Sequence, residues 1–217
     1  MGPLGIFGGT FDPIHFGHLR AAFELTGLLG LDRVLFVPAA DPPHRGTPLA
    51  DAATRLAMVR AALEDEDAFE LDDRELKRPG PSYTVLTLQE LRLEHGLRPL
   101  VLLLGMDAFL GLPTWHRWRE LLDLAHIAVA HRPGAELPST GELGRLLEST
   151  RARGREEIAA LPAGRIFVHP GTQLDISSTD LREALRAGRD PRYLMPEPVR
   201  RMINATGIYA RQGEKEG

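Results

Sequence analysis

Gly8-Gly9-Thr10-Phe11-Asp12-Pro13-Ile14-His15-Phe16-Gly17-His18 is the stretch on which the reading of this chain turns. Before it, Leu4 to Phe7 is a short apolar run that reads as a buried first strand. After it, Leu19 to Leu29 reads as a helix closed by Gly30. A glycine turn between a first strand and a first helix is where open α/β sheets bind phosphates, because free backbone N–H groups and the positive helix end face the ligand. Gly8 and Gly9 let a ligand approach the backbone where side chains would block it. If Gly17 and His18 lie in the first helical turn, His15 and His18 are about one turn apart on one side. Both then reach one phosphate chain at the helix N-terminus. As a zinc pair they lack a third and fourth ligand, since no local Glu or Cys supplies one.

Outward from that turn, strand and helix signals alternate. Strands are expected at Val34 to Val37, Phe69 to Leu71, Leu100 to Leu104, Ile127 to Ala130 and Ile166 to Val168. Helices are expected at Ala52 to Leu63, Tyr83 to Leu93, Trp115 to Leu124, Glu142 to Glu148, Ser178 to Arg186 and Pro198 to Asn204. Strands spaced by helices imply a parallel sheet covered on both faces. The loop Ala39 to Pro48 is stiffened by Pro42, Pro43 and Pro48 and carries a His-Arg pair. The acidic stretch Glu64 to Glu75 reads as a solvated face around a short strand, because its acids lack metal-ligand spacing. Pro133 to Pro162 reads as a surface excursion, and the polar tail from Arg211 as frayed.

Composition narrows the function classes. The chain has 217 residues, 43% hydrophobic and 26% charged, the range of a single globular α/β domain. It has no cysteine, which excludes disulfides, thiolate metal sites and a cysteine nucleophile. No apolar run approaches the ~18 residues that span a bilayer, and no signal peptide is visible. A cytoplasmic protein without a membrane partner is the expectation. A net charge of −4 argues against non-specific nucleic-acid binding. Only Lys77 and Lys215 are lysines and neither follows a glycine, so a Walker A loop is absent.

A second element stands late in the chain, Ile176-Ser177-Ser178-Thr179-Asp180-Leu181-Arg182. Ser or Thr followed three residues later by an acid is a helix-capping pattern. A capped helix start also presents hydroxyls and N–H groups to a phosphate, and Arg182 adds a fixed charge one turn in. The two elements together resemble the paired signatures, His-x-Gly-His and Ile-Ser-Ser-Thr-x-x-Arg, of the nucleotidyltransferases that share the first signature with class I aminoacyl-tRNA synthetases. Further blocks follow in family order: Asp41-Pro42-Pro43-His44-Arg45, Ser82-Tyr83-Thr84, Gly105-Met106-Asp107, Leu112-Pro113-Thr114-Trp115 and His131-Arg132-Pro133. These are similar to segments of bacterial nicotinate-nucleotide adenylyltransferases. Phosphopantetheine and glycerol-phosphate relatives share the first block without the Pro-Pro-His, Ser-Tyr-Thr and Trp blocks.

The resemblance implies a Rossmann-like, doubly wound parallel sheet with helices on both faces. It implies a single nucleotidyltransferase domain over 1–217 with a short C-terminal helical portion from about 177. The implied substrates are ATP and nicotinate mononucleotide, and the implied products are nicotinate adenine dinucleotide and pyrophosphate. Mg²⁺ is expected mainly on the ATP phosphates rather than in a protein cage. His15, His18 and Arg182 are the implied catalytic residues. Gly8, Gly9, Thr10, Phe11, Gly105, Asp107, Ser177, Ser178 and Thr179 join them around ATP. His44, Arg45, Ser82, Tyr83, Thr84, Asp107, Trp115, His116 and Arg132 are the implied mononucleotide contacts, with Trp115 stacking on the pyridine ring. Position 116 is His where the family more often has a phenol; a backbone contact there survives the change. Nicotinamide mononucleotide and phosphopantetheine stay open as acceptors, a nucleotide-binding sensor as a non-enzymatic reading, and a homo-oligomer as an assembly.

Overall fold

The computed structural model describes residues 2–42, 46–131, 136–172 and 174–210. Six parallel strands form one sheet: β1 (Leu4–Gly9), β2 (Arg33–Pro38), β3 (Phe69–Leu71), β4 (Leu100–Gly105), β5 (His126–His131) and β6 (Ile166–Pro170). Their order is β3-β2-β1-β4-β5-β6, so the direction of winding reverses between β1 and β4. The connecting helices are α1 (Phe16–Leu29), α2 (Ala52–Leu63), α3 (Arg74–Lys77), α4 (Thr84–His95), α5 (Met106–Leu110), α6 (Leu121–Leu124), α7 (Gly141–Thr150) and α8 (Arg155–Ala159). Two helices follow the sheet, α9 (Ser178–Arg186) and α10 (Glu197–Thr206).

The uninterrupted apolar run of β4 is explained by burial on both faces, since successive strand side chains point to opposite sides. Val101 and Leu103 join a core containing Leu25 of α1, Val59 of α2, Leu181 of α9 and Val199 of α10. Leu100, Leu102 and Leu104 join a second core with Leu88 of α4, Phe109 of α5, Leu121 of α6 and Leu147 of α7. Each of these leucines, fully buried, contributes roughly 1.5–3 kcal/mol relative to exposure. This is the doubly wound, Rossmann-like arrangement. Among the described residues no helix is long and apolar enough to cross a membrane.

Local chemistry sets several helix ends. The Asp51 carboxylate accepts the Thr54 N–H at 2.7 Å and caps α2. Gly30 closes α1 in the left-handed region at φ 61°, where a side chain would be strained.

Four expectations change. Gly8 and Gly9 are the last residues of β1, so the turn proper is Thr10 to His15. Trp115 to Leu124 is not one helix. It is a 3₁₀ turn at Leu112–Thr114, an extended Trp115, a second 3₁₀ turn at Trp118–Glu120 and then α6. Arg117 breaks the path by adopting φ 53°. Thirdly, Glu75, at the end of the acidic stretch, is buried and accepts the Thr87 hydroxyl at 2.5 Å. Finally, Pro133 to Pro162 is not only a surface excursion: α7 buries Leu143 and Leu147 in the second core and α8 buries Ile158 in the first, while α3, α5 and α8 are too brief to show a period in sequence.

Candidate active site

The site begins with a split in the sheet. β1 and β4 pair only from Leu4↔Leu100 to Ile6↔Leu102. Beyond that point β1 stays with β2 as far as Gly9↔Pro38, and β4 stays with β5 as far as Gly105↔Ala130. A crevice therefore opens at the carboxyl ends of β1 and β4, where the winding reverses. That is the general ligand position in open α/β sheets. Gly8 and Gly105 stand at its two lips, and a Cβ at either would meet no atom within 4 Å. Space beside these glycines is open to a ligand.

The turn Thr10 to His15 forms one wall. Phe11 is buried, with φ 49°, and its ring packs edge-on against His18 at 5.1 Å between centroids. Asp12 is also buried. Its carboxylate accepts the N–H groups of Leu49 at 2.9 Å and Ala50 at 3.1 Å, and the Tyr209 hydroxyl at 2.6 Å. So Asp12 faces inward and anchors the turn. Burial, then the bond to Asp12, pushes the Tyr209 phenol well above its ordinary value, so it stays a donor.

His15 is the N-cap of α1 and His18 lies in its first turn. The Nδ1 of His18 accepts the His15 N–H at 3.3 Å. In the neutral ring the proton is then on Nε2, which is a donor. The two imidazoles stack at 3.7 Å between centroids, 26° from parallel. Gly17 makes this possible: a Cβ there would lie 2.9 Å from His15 Nδ1 and 3.3 Å from the Ile176 carbonyl oxygen. The His15 Nδ1 is buried without a hydrogen-bond partner.

Burial lowers the His15 pKa from 6.5 to about 4. At neutral pH the ring is uncharged in the folded protein. The unfolded chain takes up a proton near pH 6.5 and the folded one does not. The stabilising difference is thus complete above pH 6.5 and is lost as pH falls towards 4, by roughly 3 kcal/mol in total. Denaturant titrations at pH 7 and pH 4.5 should show His15→Gln losing less stability on acidification than wild type. Equal losses would show that His15 does not carry this dependence.

The second wall is the start of α9. Ser177 caps it, its Oγ accepting the Asp180 N–H at 3.1 Å. Ser178 Oγ donates to the Pro13 carbonyl at 3.0 Å, and Arg182 Nη1 donates to the Asp12 carbonyl at 2.7 Å. Arg182 Nη2 donates to Thr179 Oγ1 at 3.2 Å. The late signature is thereby bound to the early turn across more than 160 positions of sequence. Two of the five guanidinium donors are used in these bonds.

The residues expected for an acceptor lie further along the strand ends. Ser82 Oγ accepts the N–H groups of Ala40 at 2.9 Å and Asp41 at 3.2 Å, so it latches the loop after β2. Tyr83, the N-cap of α4, stacks on His116 at 4.3 Å, with rings 29° apart. Thr84 opens α4, and Asp107 is exposed in the first turn of α5. Trp115 is half-buried against the second core and lines a cavity of about 500 Å³ with Trp118, Arg119 and Glu142. Neither Tyr83 nor Thr84 lines that cavity. His44, Arg45 and Arg132 fall outside the described residues.

Three residues of this framework were missed in the sequence: Asp12 as an anchor, Tyr209 and Arg55. For Arg55 a signal existed, because it is in phase with buried Met58 and Val59 on α2. For Tyr209 none did.

The chain is similar to known proteins over most of its length. A sequence profile described as cytidylyltransferase-like matches residues 6–184. A protein of Methylococcus capsulatus described as a "probable nicotinate-nucleotide adenylyltransferase" is 48% identical over 209 residues, covering 96% of this chain and all of its own length (100%). One of Aeromonas hydrophila with the same description is 46% identical, covering 95% of this chain and 97% of its own. Among solved structures, Plasmodium falciparum nicotinic acid mononucleotide adenylyltransferase complexed with NaAD aligns with a TM-score of 0.74. That alignment covers 96% of this chain and 98% of the other at 16% identity, a likeness of fold.

Proposed function

Because the chain belongs to the cytidylyltransferase-like family, and within it to the nicotinate-nucleotide adenylyltransferases, we propose how its residues divide the work of that reaction. The reaction transfers the adenylyl group of ATP to nicotinate mononucleotide and yields nicotinate adenine dinucleotide and pyrophosphate. An oxygen of the mononucleotide 5′-phosphate forms a bond to the α-phosphorus of ATP. The bond from that phosphorus to the oxygen bridging to the β-phosphorus breaks, and pyrophosphate leaves with the electron pair.

A phosphate monoester is mostly dianionic at neutral pH, since its second pKa is about 6. The nucleophile therefore arrives ionised, and no side-chain nucleophile or strong base is required. The remaining task is to align two anions and stabilise charge that moves onto pyrophosphate. The observation that carries this assignment is the junction of the two signatures through Arg182, Ser178 and the carbonyls of Asp12 and Pro13.

In this assignment Gly8, Thr10 and the main chain of Gly9 and Phe11 line the triphosphate crevice, the Phe11 ring being buried against the Cβ side of Gly9, with Gly105 and Asp107 at its opposite lip. His18 donates from Nε2 to the reacting phosphates, and His15 holds His18 by stacking and offers its own ring to the same anion. The start of α9, with Ser177, Ser178, Thr179 and Arg182, grips the β- and γ-phosphates. Mg²⁺ would be held mainly by the ATP phosphates and water, where it would neutralise their charge. On the acceptor side, Tyr83, Thr84 and the backbone after Trp115 meet the nicotinate carboxylate, Trp115 stacks on the pyridine ring, and Asp107 accepts from the ribose hydroxyls. His44, Arg45 and Arg132 complete the mononucleotide side by position in the sequence.

Pyrophosphate release from Mg-ATP with a panel of acceptors tests the proposal. Nicotinate mononucleotide should be the preferred acceptor over its amide and over phosphopantetheine. Release with neither pyridine mononucleotide would sink it. Within that assay, Trp115→Ala should weaken the pyridine substrate by ~1–3 kcal/mol, the scale of base–aromatic stacking, and spare ATP. Equal losses for both substrates would instead mark Trp115 as a packing residue.

A further inference from the structure

Arg55 is the polar residue that joins the two halves of this site, although it belongs to neither. It sits on the inner face of α2 and is 1% exposed. Its Nη1 donates to the Thr10 carbonyl at 2.8 Å and to the Ala39 carbonyl at 2.6 Å. Its Nη2 donates to the Ala40 carbonyl at 3.1 Å, and its Nε to the Ala50 carbonyl at 3.1 Å. Every one of these acceptors is main chain. Thr10 belongs to the turn assigned to ATP, and Ala39 and Ala40 begin the loop assigned to the acceptor.

The two segments leave neighbouring strand ends, Gly9↔Pro38, and are joined directly by the Ala39 N–H on the Gly9 carbonyl at 2.9 Å. The loop is held on its other side too. Ser82 Oγ takes the N–H groups of Ala40 and Asp41, and Ser82 N–H donates to the Asp41 carbonyl at 2.9 Å. The Ala39 and Ala40 carbonyls are thus fixed by Arg55, and the Ala40 and Asp41 amides and the Asp41 carbonyl by Ser82.

We infer that Arg55 is a positioning residue that couples the ATP-side turn to the acceptor-side loop, so that ordering either half-site by its substrate orders the other. The planar, five-donor guanidinium can hold three chain segments at once, whereas a lysine ammonium is a point charge on a flexible stem. Displacing Thr10 or Ala40 breaks bonds on the same rigid group, which transmits the displacement. The inference rests on the division of the site into ATP and acceptor halves given above.

Two measurements test it. In the wild-type protein, hydrogen–deuterium exchange with α,β-methylene-ATP alone should slow exchange in a peptide covering residues 38–42 as well as in one covering 8–12. Protection confined to residues 8–12 would overturn the coupling. Calorimetry should show saturating nicotinate mononucleotide raising the affinity for α,β-methylene-ATP by ~5-fold or more, the lower scale of site coupling. In Arg55→Lys the same ratio should fall towards one while the variant still melts cooperatively. An unchanged ratio in Arg55→Lys, or a ratio of one in wild type, would refute the inference. Should the lysine variant not fold, the exchange experiment on wild type decides alone. Failure of the functional reading appears separately, as an absence of pyrophosphate release by wild type with nicotinate mononucleotide.

Discussion

Replacing His18 with alanine lowers kcat by ~10²–10³, the scale for losing one charge-stabilising donor at a reacting phosphate, while the protein still unfolds close to the wild-type temperature. The reason is that His18 is specialised in place. Its Nδ1 is occupied by the His15 N–H, its ring is stacked on His15, and its edge is braced by Phe11. These contacts fix the direction of the Nε2 donor before substrate arrives. A preorganised donor stabilises charge as it develops without reorganising at that moment. The side chain is only half-buried, so its removal leaves no large cavity. His18→Gln, which keeps an N–H donor at similar reach, should recover part of the loss. Wild-type kcat in His18→Ala would remove His18 from the chemistry.

Arg182→Ala is expected to lower kcat/KM for ATP by ~10²–10³ as well, and unlike His18→Ala it also destabilises the protein. Arg182 is both wall and clamp. Its Nη1 bond to the Asp12 carbonyl holds the early turn against α9, and hydrogen bonds to charged groups contribute about 1.5–3 kcal/mol. Arg182→Lys keeps the charge but cannot hold the Asp12 carbonyl and Thr179 Oγ1 in one plane. It should retain most of the stability and only a minor part of the activity. Steady-state kinetics in ATP, with melting curves for all three proteins, separate the two roles. A loss of stability with unchanged kcat/KM would make Arg182 a clamp alone.

Much of the candidate site was legible in the sequence because a phosphate-binding reading rests on unusual residue types at fixed short spacings. Two glycines at a strand end, two histidines one turn apart, and an arginine one turn into a capped helix leave few other readings. The doubly wound sheet was legible because runs such as Leu100 to Leu104 are too apolar for a sheet with one wet face. What was misread depended on backbone conformation. Trp115, Trp118, Leu121 and Leu122 carry helical spacing, yet the left-handed Arg117 divides the segment into separate turns. What stayed invisible depended on distance. The Tyr209 hydroxyl meets Asp12 across 197 positions, and no local pattern marks such a pair. Arg55 lay between these cases: a charged residue on a buried stripe was in view, but the carbonyls that hold it belong to loops far from α2 in sequence.

In the proposed reaction the protein aligns the mononucleotide phosphate with the α-phosphorus of ATP for direct in-line transfer and supplies no nucleophile of its own. The stereochemical course at that phosphorus distinguishes direct transfer from a covalent intermediate. With nicotinate mononucleotide and a single diastereomer of ATP carrying sulfur on the α-phosphorus, one displacement inverts the configuration in the dinucleotide product. Inversion is the predicted result. Retention would require two displacements through an adenylylated side chain and would rule out direct transfer.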